Sequence, residues 1–164
     1  MSYASRFHMI SSDELQQHML NSARNVFSVM ADIALEEYHE GPGKQQENCV
    51  TALIGFAGTY QGVVALRCPE PLARRIATGL LYVAGEVNTQ DVFAAMGEVA
   101  NIIGGDIKLY LDRGGRHVRL SSPSVFAGNE VFLNEFLAGS NTVAFTMAAG
   151  DERLLFGVQI SSGE

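Results

Sequence analysis

Glu98 and Asn101 stand three residues apart within Asn88–Leu111, a run whose apolar periodicity predicts a helix. At 100° per residue, Val92, Met96, Val99, Ile103, Ile107 and Tyr110 fall in one narrow arc that must face a core. Asn101 lies nearly opposite that arc, and Glu98, one turn earlier, is its neighbour on the outer surface. Around the pair sit Ala94, Gly97, Gly104 and Gly105, with Lys108 further along. Each interior glycine costs a helix about 1 kcal/mol relative to alanine, so three on one side cost roughly 3 kcal/mol. Two readings fit this spacing. Gly104 and Gly105 mark a kink or a close crossing by the second helix, or a partner approaches the bare backbone while Glu98 and Asn101 reach across to it.

Other chemistries find no residues to carry them. His8, His18, His39 and His117 are scattered, without a second His or Cys at ligand spacing, so no zinc site is expected. No G-x-S-x-G nucleophile motif occurs. Gly55, Gly58 and Gly62 are not followed by the lysine of a phosphate-binding loop, and their context is a hairpin. Arg74-Arg75 and the group Arg113, Arg116 and Arg119 are the basic clusters, read as surface charges with room for a part in partner docking.

The elements that must position the pair can be read in order. Residues 11–38 are predicted as a first helix, with Ser11 and Glu14 at capping-box spacing and Ile10 and Leu15 placed to staple it. Leu15, Met19, Val26, Met30 and Ile33 give its apolar face, and it should end before Gly41-Pro42-Gly43. Cys49–Ala57 and Gly62–Cys68 read as a hairpin about Gly58-Thr59-Tyr60-Gln61. A two-residue Gly58-Thr59 turn would set Cys49 opposite Cys68; a cross-strand disulfide or, the preferred reading, two packed reduced thiols follows. Glu70–Val83 is a second helix, with Leu72, Ile76, Leu80 and Val83 inward. Asn88 should cap the third helix, aided by Asp91 and a Val87–Val92 staple. A short strand near Arg116–Leu120 leads to a turn region, Ser121–Gly128. Residues 129–138 read as either a helix or an ordered loop. Thr142–Ala148 and Arg153–Ser161 form a last hairpin about Gly150-Asp151. Two hairpins, a middle strand and two or three helices make an α+β fold: an antiparallel sheet with long helices packed on one face.

The chain has 164 residues and 17.7 kDa, the size of a single domain, residues 1–164. With 11 Lys+Arg against 18 Asp+Glu, the net charge is −7 and the pI about 5.0. Such a surface repels phosphate backbones and anionic headgroups, which disfavours nucleic acid and membrane as partners. No run reaches the roughly 18 apolar residues of a spanning helix. The first residues lack the layout of a secretory signal, and two cysteines make no disulfide framework. A cytoplasmic location is expected.

Several segments together resemble the CheC/CheX family of chemotaxis phosphatases, and most closely its single-site CheX branch. One is Asp91-Val-Phe-Ala-Ala-Met-Gly-Glu98-Val-Ala-Asn101-Ile-Ile-Gly-Gly105, similar to the family's E-x-x-N followed by an apolar pair and small residues. Another is Ser122-Pro123-Ser-Val-Phe-Ala-Gly128, similar to its P-x-V-x-x-G segment. The hairpin Ile54–Leu66 and the closing strands also fit. Ala94 stands where the family often has Asp or Ser, and Pro123 lies one residue nearer the Asn than the family proline. No second E-x-x-N occurs in a comparable helix, which argues against a two-site arrangement.

The resemblance implies a phosphatase acting on the phospho-aspartate of a CheY-like response regulator. Asn101 would orient the attacking water and Glu98 would dock on the regulator's lysine, with Ala94, Gly97, Gly104, Gly105 and Lys108 as the docking surface. An amide suits that task, since its carbonyl and NH₂ can fix a water's direction and positioning is most of what phosphoryl transfer asks of a protein. The required Mg²⁺ would belong to the regulator, so no cofactor or metal site is expected in this chain. The resemblance also implies a homodimer with sheet edges meeting. A non-catalytic regulator-binding module or a flagellar-switch component of the same fold is the alternative.

Overall fold

Helix α1, Ser12–Ala31, starts where the capping sequence places it: the Ser11 side chain accepts a hydrogen bond from the Glu14 N–H at 3.3 Å. It ends seven residues before the expected boundary. Asp32 takes the left-handed conformation (φ 54°), and the Ile33 N–H donates to Phe27 O at 2.9 Å, a terminal bond that stops the helix and returns Ile33 and Leu35 to the core. Glu36–Tyr38 then form strand β1 rather than a helical turn. The computed structural model describes residues 10–39, 48–81, 85–128 and 141–163; the expected Gly41-Pro42-Gly43 stop, Val83 and the ambiguous 129–138 segment lie outside them.

Strands β2 (Cys49–Gly58) and β3 (Tyr60–Pro69) form the expected hairpin, but one residue out of the expected register. Cys49 pairs with Pro69 and Val50 with Cys68. Gly58 causes the shift. Its φ of 141° is reserved for glycine, and a Cβ there would fall 2.3 Å from His117 O. Thr59 N donates to that same carbonyl, leaving Thr59 alone at the tip. Cys49 and Cys68 are buried thiols, with Cys68 Sγ 3.8 Å from Met96 Sδ. Burial, with Cys49 adding to it, pushes the Cys68 thiol far above its ordinary range.

Helix α2 (Glu70–Leu81) buries Leu72 and Ile76, and helix α3 spans Thr89–Leu111. The α3 cap is a reciprocal box: Asn88 accepts from the Asp91 N–H at 2.8 Å, and Asp91 accepts from the Asn88 N–H at 3.0 Å. After a short 3₁₀ turn at Arg113–Gly115 come β4 (Val118–Leu120) and β5 (Ser124–Gly128). β5 lies in what reads from sequence as a turn region. Both strands pair with β2, β4 along residues 56–58 and β5 along 49–53. Pro123 has no N–H to give a ladder, so the edge breaks between them. Ser121 bridges the break, its Oγ accepting from Gly55 N at 2.9 Å and its N–H donating to Gly55 O at 2.8 Å.

β6 (Thr142–Ala149) and β7 (Glu152–Ser162) close the chain as a hairpin, with Gly150 at φ 63° in its turn. The antiparallel sheet has seven strands in the order β1-β6-β7-β3-β2-β4, with β5 also on β2. The three helices pack over it and against one another, the α+β arrangement of an antiparallel sheet and long helices that the sequence implied. Phe27 of α1 meets Phe156 of β7 edge-on at 6.3 Å, and Leu15, Met96, Ile103 and Ile107 are fully enclosed. Each such side chain contributes about 1.5–3 kcal/mol relative to exposure. No helix among the described residues is long and apolar enough to cross a membrane.

Candidate functional site

The helix α3 divides as its spacing predicts. Val92, Met96, Val99, Ile103, Ile107 and Tyr110 are all buried, while Glu98 and Asn101 are exposed on the opposite side with Ala94. The inner arc holds the helix rigidly on the sheet, so the two polar side chains project from a fixed platform. Among the described residues neither makes a hydrogen bond or ion pair within the molecule. Their polar atoms are therefore available to something outside.

The glycines do not all share that face. Gly97 and Gly104 are buried. A Cβ at Gly97 would lie 3.4 Å from Pro123 Cγ and 3.6 Å from Val125 Cγ2; one at Gly104 would lie 3.3 Å from Ile54 Cδ1. These two residues let α3 settle closely on β2 and β5, so the close crossing is with the sheet, not with the second helix, and they are withdrawn from the exposed strip. Gly105 differs: a Cβ there would meet nothing within 4 Å. Lys108 is half-buried, and its ammonium is held by Asp112 at 2.5 Å. Of the five residues assigned to a docking surface, Ala94 and Gly105 thus present open surface, and Lys108 presents a cation already paired.

The far end of α3 is tied down by polar contacts that sequence spacing did not reveal, since they join residues distant in the chain. Asp106 accepts from Ser22 Oγ of α1 at 2.5 Å. Tyr110 donates to Glu14 at 2.9 Å, stacks on His18 at 4.3 Å between centroids, and lies under Arg113 at 5.3 Å. Burial, with the bond to Glu14, raises the Tyr110 phenol to about 12. At Asp112, burial opposes ionisation but is outweighed by Lys108 and by the Val118 N–H at 2.9 Å, so its carboxyl sits below the usual range.

Chemically, a carboxylate and an amide on an open helix face can position but cannot enclose. A groove of about 470 Å³ between α1 and α3 and a pocket of about 200 Å³ beside Cys49 and Arg74 are both lined by other residues. No cluster of three or more His, Cys, Asp or Glu able to hold a metal ion occurs among the described residues. A reaction at Glu98 and Asn101 needs a second molecule to supply the rest of the site.

Solved structures share this fold. CheX from Vibrio vulnificus aligns over 93% of this chain and 99% of its own, with 22% identity and a TM-score of 0.75. CheX of Borrelia burgdorferi, in a complex with CheY, BeF₃ and Mg²⁺, aligns over 90% and 98%, with 20% identity and a TM-score of 0.73. CheX from Desulfovibrio desulfuricans aligns over 90% and 99%, with 18% identity and a TM-score of 0.70. No curated protein matches the chain. The family model described as chemotaxis phosphatase CheX matches residues 50–147, a span that takes in all but the first residue of β2, all of β3 and α3, and the Pro123 segment; the chain belongs to the CheX family.

Proposed function

We propose that this protein hydrolyses the phospho-aspartate of a CheY-like response regulator, with Asn101 and Glu98 acting in the regulator's own active site. The observation that carries this reading is the exposed, internally unengaged E-x-x-N pair on a helix whose other faces are locked in the core. Asn101 accepts from and donates to one water, holding its oxygen in line with phosphorus. The water oxygen forms the new bond to phosphorus, and the bond to the aspartyl oxygen breaks with its electron pair leaving on the carboxylate. Inorganic phosphate and free aspartate result. Glu98 docks on the regulator's lysine and sets the register of approach. Mg²⁺, which would neutralise charge on the transferring group, is assigned to the regulator.

The test is phosphate release from phosphorylated regulators. Wild type should shorten the phospho-regulator lifetime beyond its own decay, and no acceleration with any cognate regulator refutes the enzyme. Tight binding without acceleration supports a binding module instead. Ala94 favours that second reading, because it leaves a methyl where a further polar group on the strip could act. We also assign a homodimer joined at a sheet edge. Among the described residues β5 has no strand on its outer side, and Phe126 on it is 38% exposed. Light scattering should give twice the chain mass; the monomer mass at micromolar concentration contradicts this assembly.

A further inference from the structure

We infer that the regulator's footprint runs beyond Glu98 and Asn101 along Gly105 and Leu109 and ends in the groove between α1 and α3, where Leu109 is the apolar anchor and Arg113 receives an acidic side chain. This rests on the proposed function, which makes the outer strip of α3 a protein-docking face.

Leu109 is 70% exposed on a helix that buries its other large aliphatics in whole or in part. It lies eight residues beyond Asn101, about 12 Å along the axis at 1.5 Å per residue. Between them Gly105 leaves open space where any side chain would stand, so a partner's backbone can follow the helix down from Asn101 without obstruction.

The strip then meets the groove, whose lining includes Leu109, His18, Asn21, Asp106, Tyr110 and Arg113, and whose 470 Å³ accommodates two or three side chains. Its one acidic residue, Asp106, already takes part in a hydrogen bond. Asp106 accepts from Ser22, and Glu14 beside it accepts from Tyr110. Arg113 is exposed above the Tyr110 ring and has no carboxylate partner among the described residues. In a chain of net charge −7, Arg113 is the one lysine or arginine on this lining.

Glu98 and Arg113 thus place opposite charges at the two ends of one strip: from Glu98 to the end of α3 at Leu111 is about 20 Å by helical rise, and Arg113 opens the 3₁₀ turn just beyond it. A receiver domain carrying a basic group near its phosphorylation site and an acidic group some 20 Å away would be held in one orientation. Two oppositely signed contacts fix rotation, which one salt bridge cannot, and like-charged juxtapositions reject wrong regulators.

The experiment uses the full chain and a CheY-like receiver domain, activated with beryllofluoride and Mg²⁺ for binding and phosphorylated for turnover. Leu109→Ala and Arg113→Glu should each raise Kd and KM about tenfold, more than most interface residues cost on truncation and short of a hot spot, with kcat within twofold of wild type. Both positions are exposed, and an unchanged melting curve verifies folding. Unchanged Kd and KM in both variants, against a receiver that wild type binds, overturn the extended footprint and leave the Asn101 mechanism standing. A fall in kcat with Kd unchanged also overturns it. Wild type that binds no receiver in either state overturns the proposed function itself.

Discussion

Asn101 carries an amide that neither gains nor loses a proton near neutrality, so its part in the proposed function is geometric. Asn101→Ala should lower kcat by about 10²-fold or more, the cost of mis-set geometry in positioned reactions, with Kd for the activated regulator within about threefold of wild type. Glu98→Ala should raise KM and lower turnover together, because in the proposed function the carboxylate docks on the regulator and sets the register in which Asn101 meets the phosphoryl group; stopped-flow binding beside a phosphate-release assay separates the two. Both residues were legible in the sequence, since angular position on a helix follows from residue number alone. Gly97 and Gly104 were not. They lie 40–60° from Asn101 around the helix, on the flank that meets the sheet, while Gly105 lies at a similar angle on the other flank (angles from the roughly 100° step). Nothing in the helical repeat says on which side Pro123, Val125 and Ile54 stand.

At the scale of elements, this difference between the glycines becomes measurable. Gly105→Ala should stabilise the protein by about 0.5–1 kcal/mol, because open space receives the methyl and the unfolded chain loses freedom. Gly104→Leu should destabilise by about 1–3 kcal/mol, since its side chain must displace Ile54 at the contact with β2. Chemical denaturation reads both. The last turn of α3 is joined to β4 through Asp112, whose carboxyl is held low by Lys108 and the Val118 N–H after burial is overcome. A carboxyl whose folded pKa lies below its unfolded value of 3.8 contributes stability above that value and loses it as pH falls through the folded pKa. Asp112→Asn should therefore be less stable than wild type at neutral pH and show a shallower loss of stability below about pH 4. Two elements, β1 and β5, escaped the sequence for a shared reason. Glu36–Tyr38 and Ser124–Gly128 have short and partly polar patterns, and become strands because β6 and β2 present open edges to them. Local periodicity records an element's own burial, and edge strands have little.

For the molecule as a whole, acidity, fold and the exposed pair are all compatible with the proposed docking on a response regulator. A net charge of −7 disfavours nucleic acid and anionic lipid, while an exposed Glu98 offers a lysine-bearing partner a place to dock. The association rate with the regulator should fall as salt rises from 20 to 300 mM (~20 to ~6 Å screening length), with dissociation much less affected. The helices and the central hairpins were legible because long amphipathic runs and turn glycines announce themselves; the Cys49 register was not, because one φ value at Gly58 decided it. The central claim is that α3 offers Asn101 to another protein's phospho-aspartate. Its most direct measurement is single-turnover dephosphorylation of a cognate phospho-regulator at saturating wild type and at saturating Asn101→Ala. The account predicts rapid decay with wild type and decay at the regulator's own rate with Asn101→Ala, although the variant stays bound. Equal, accelerated decay with both proteins would contradict it.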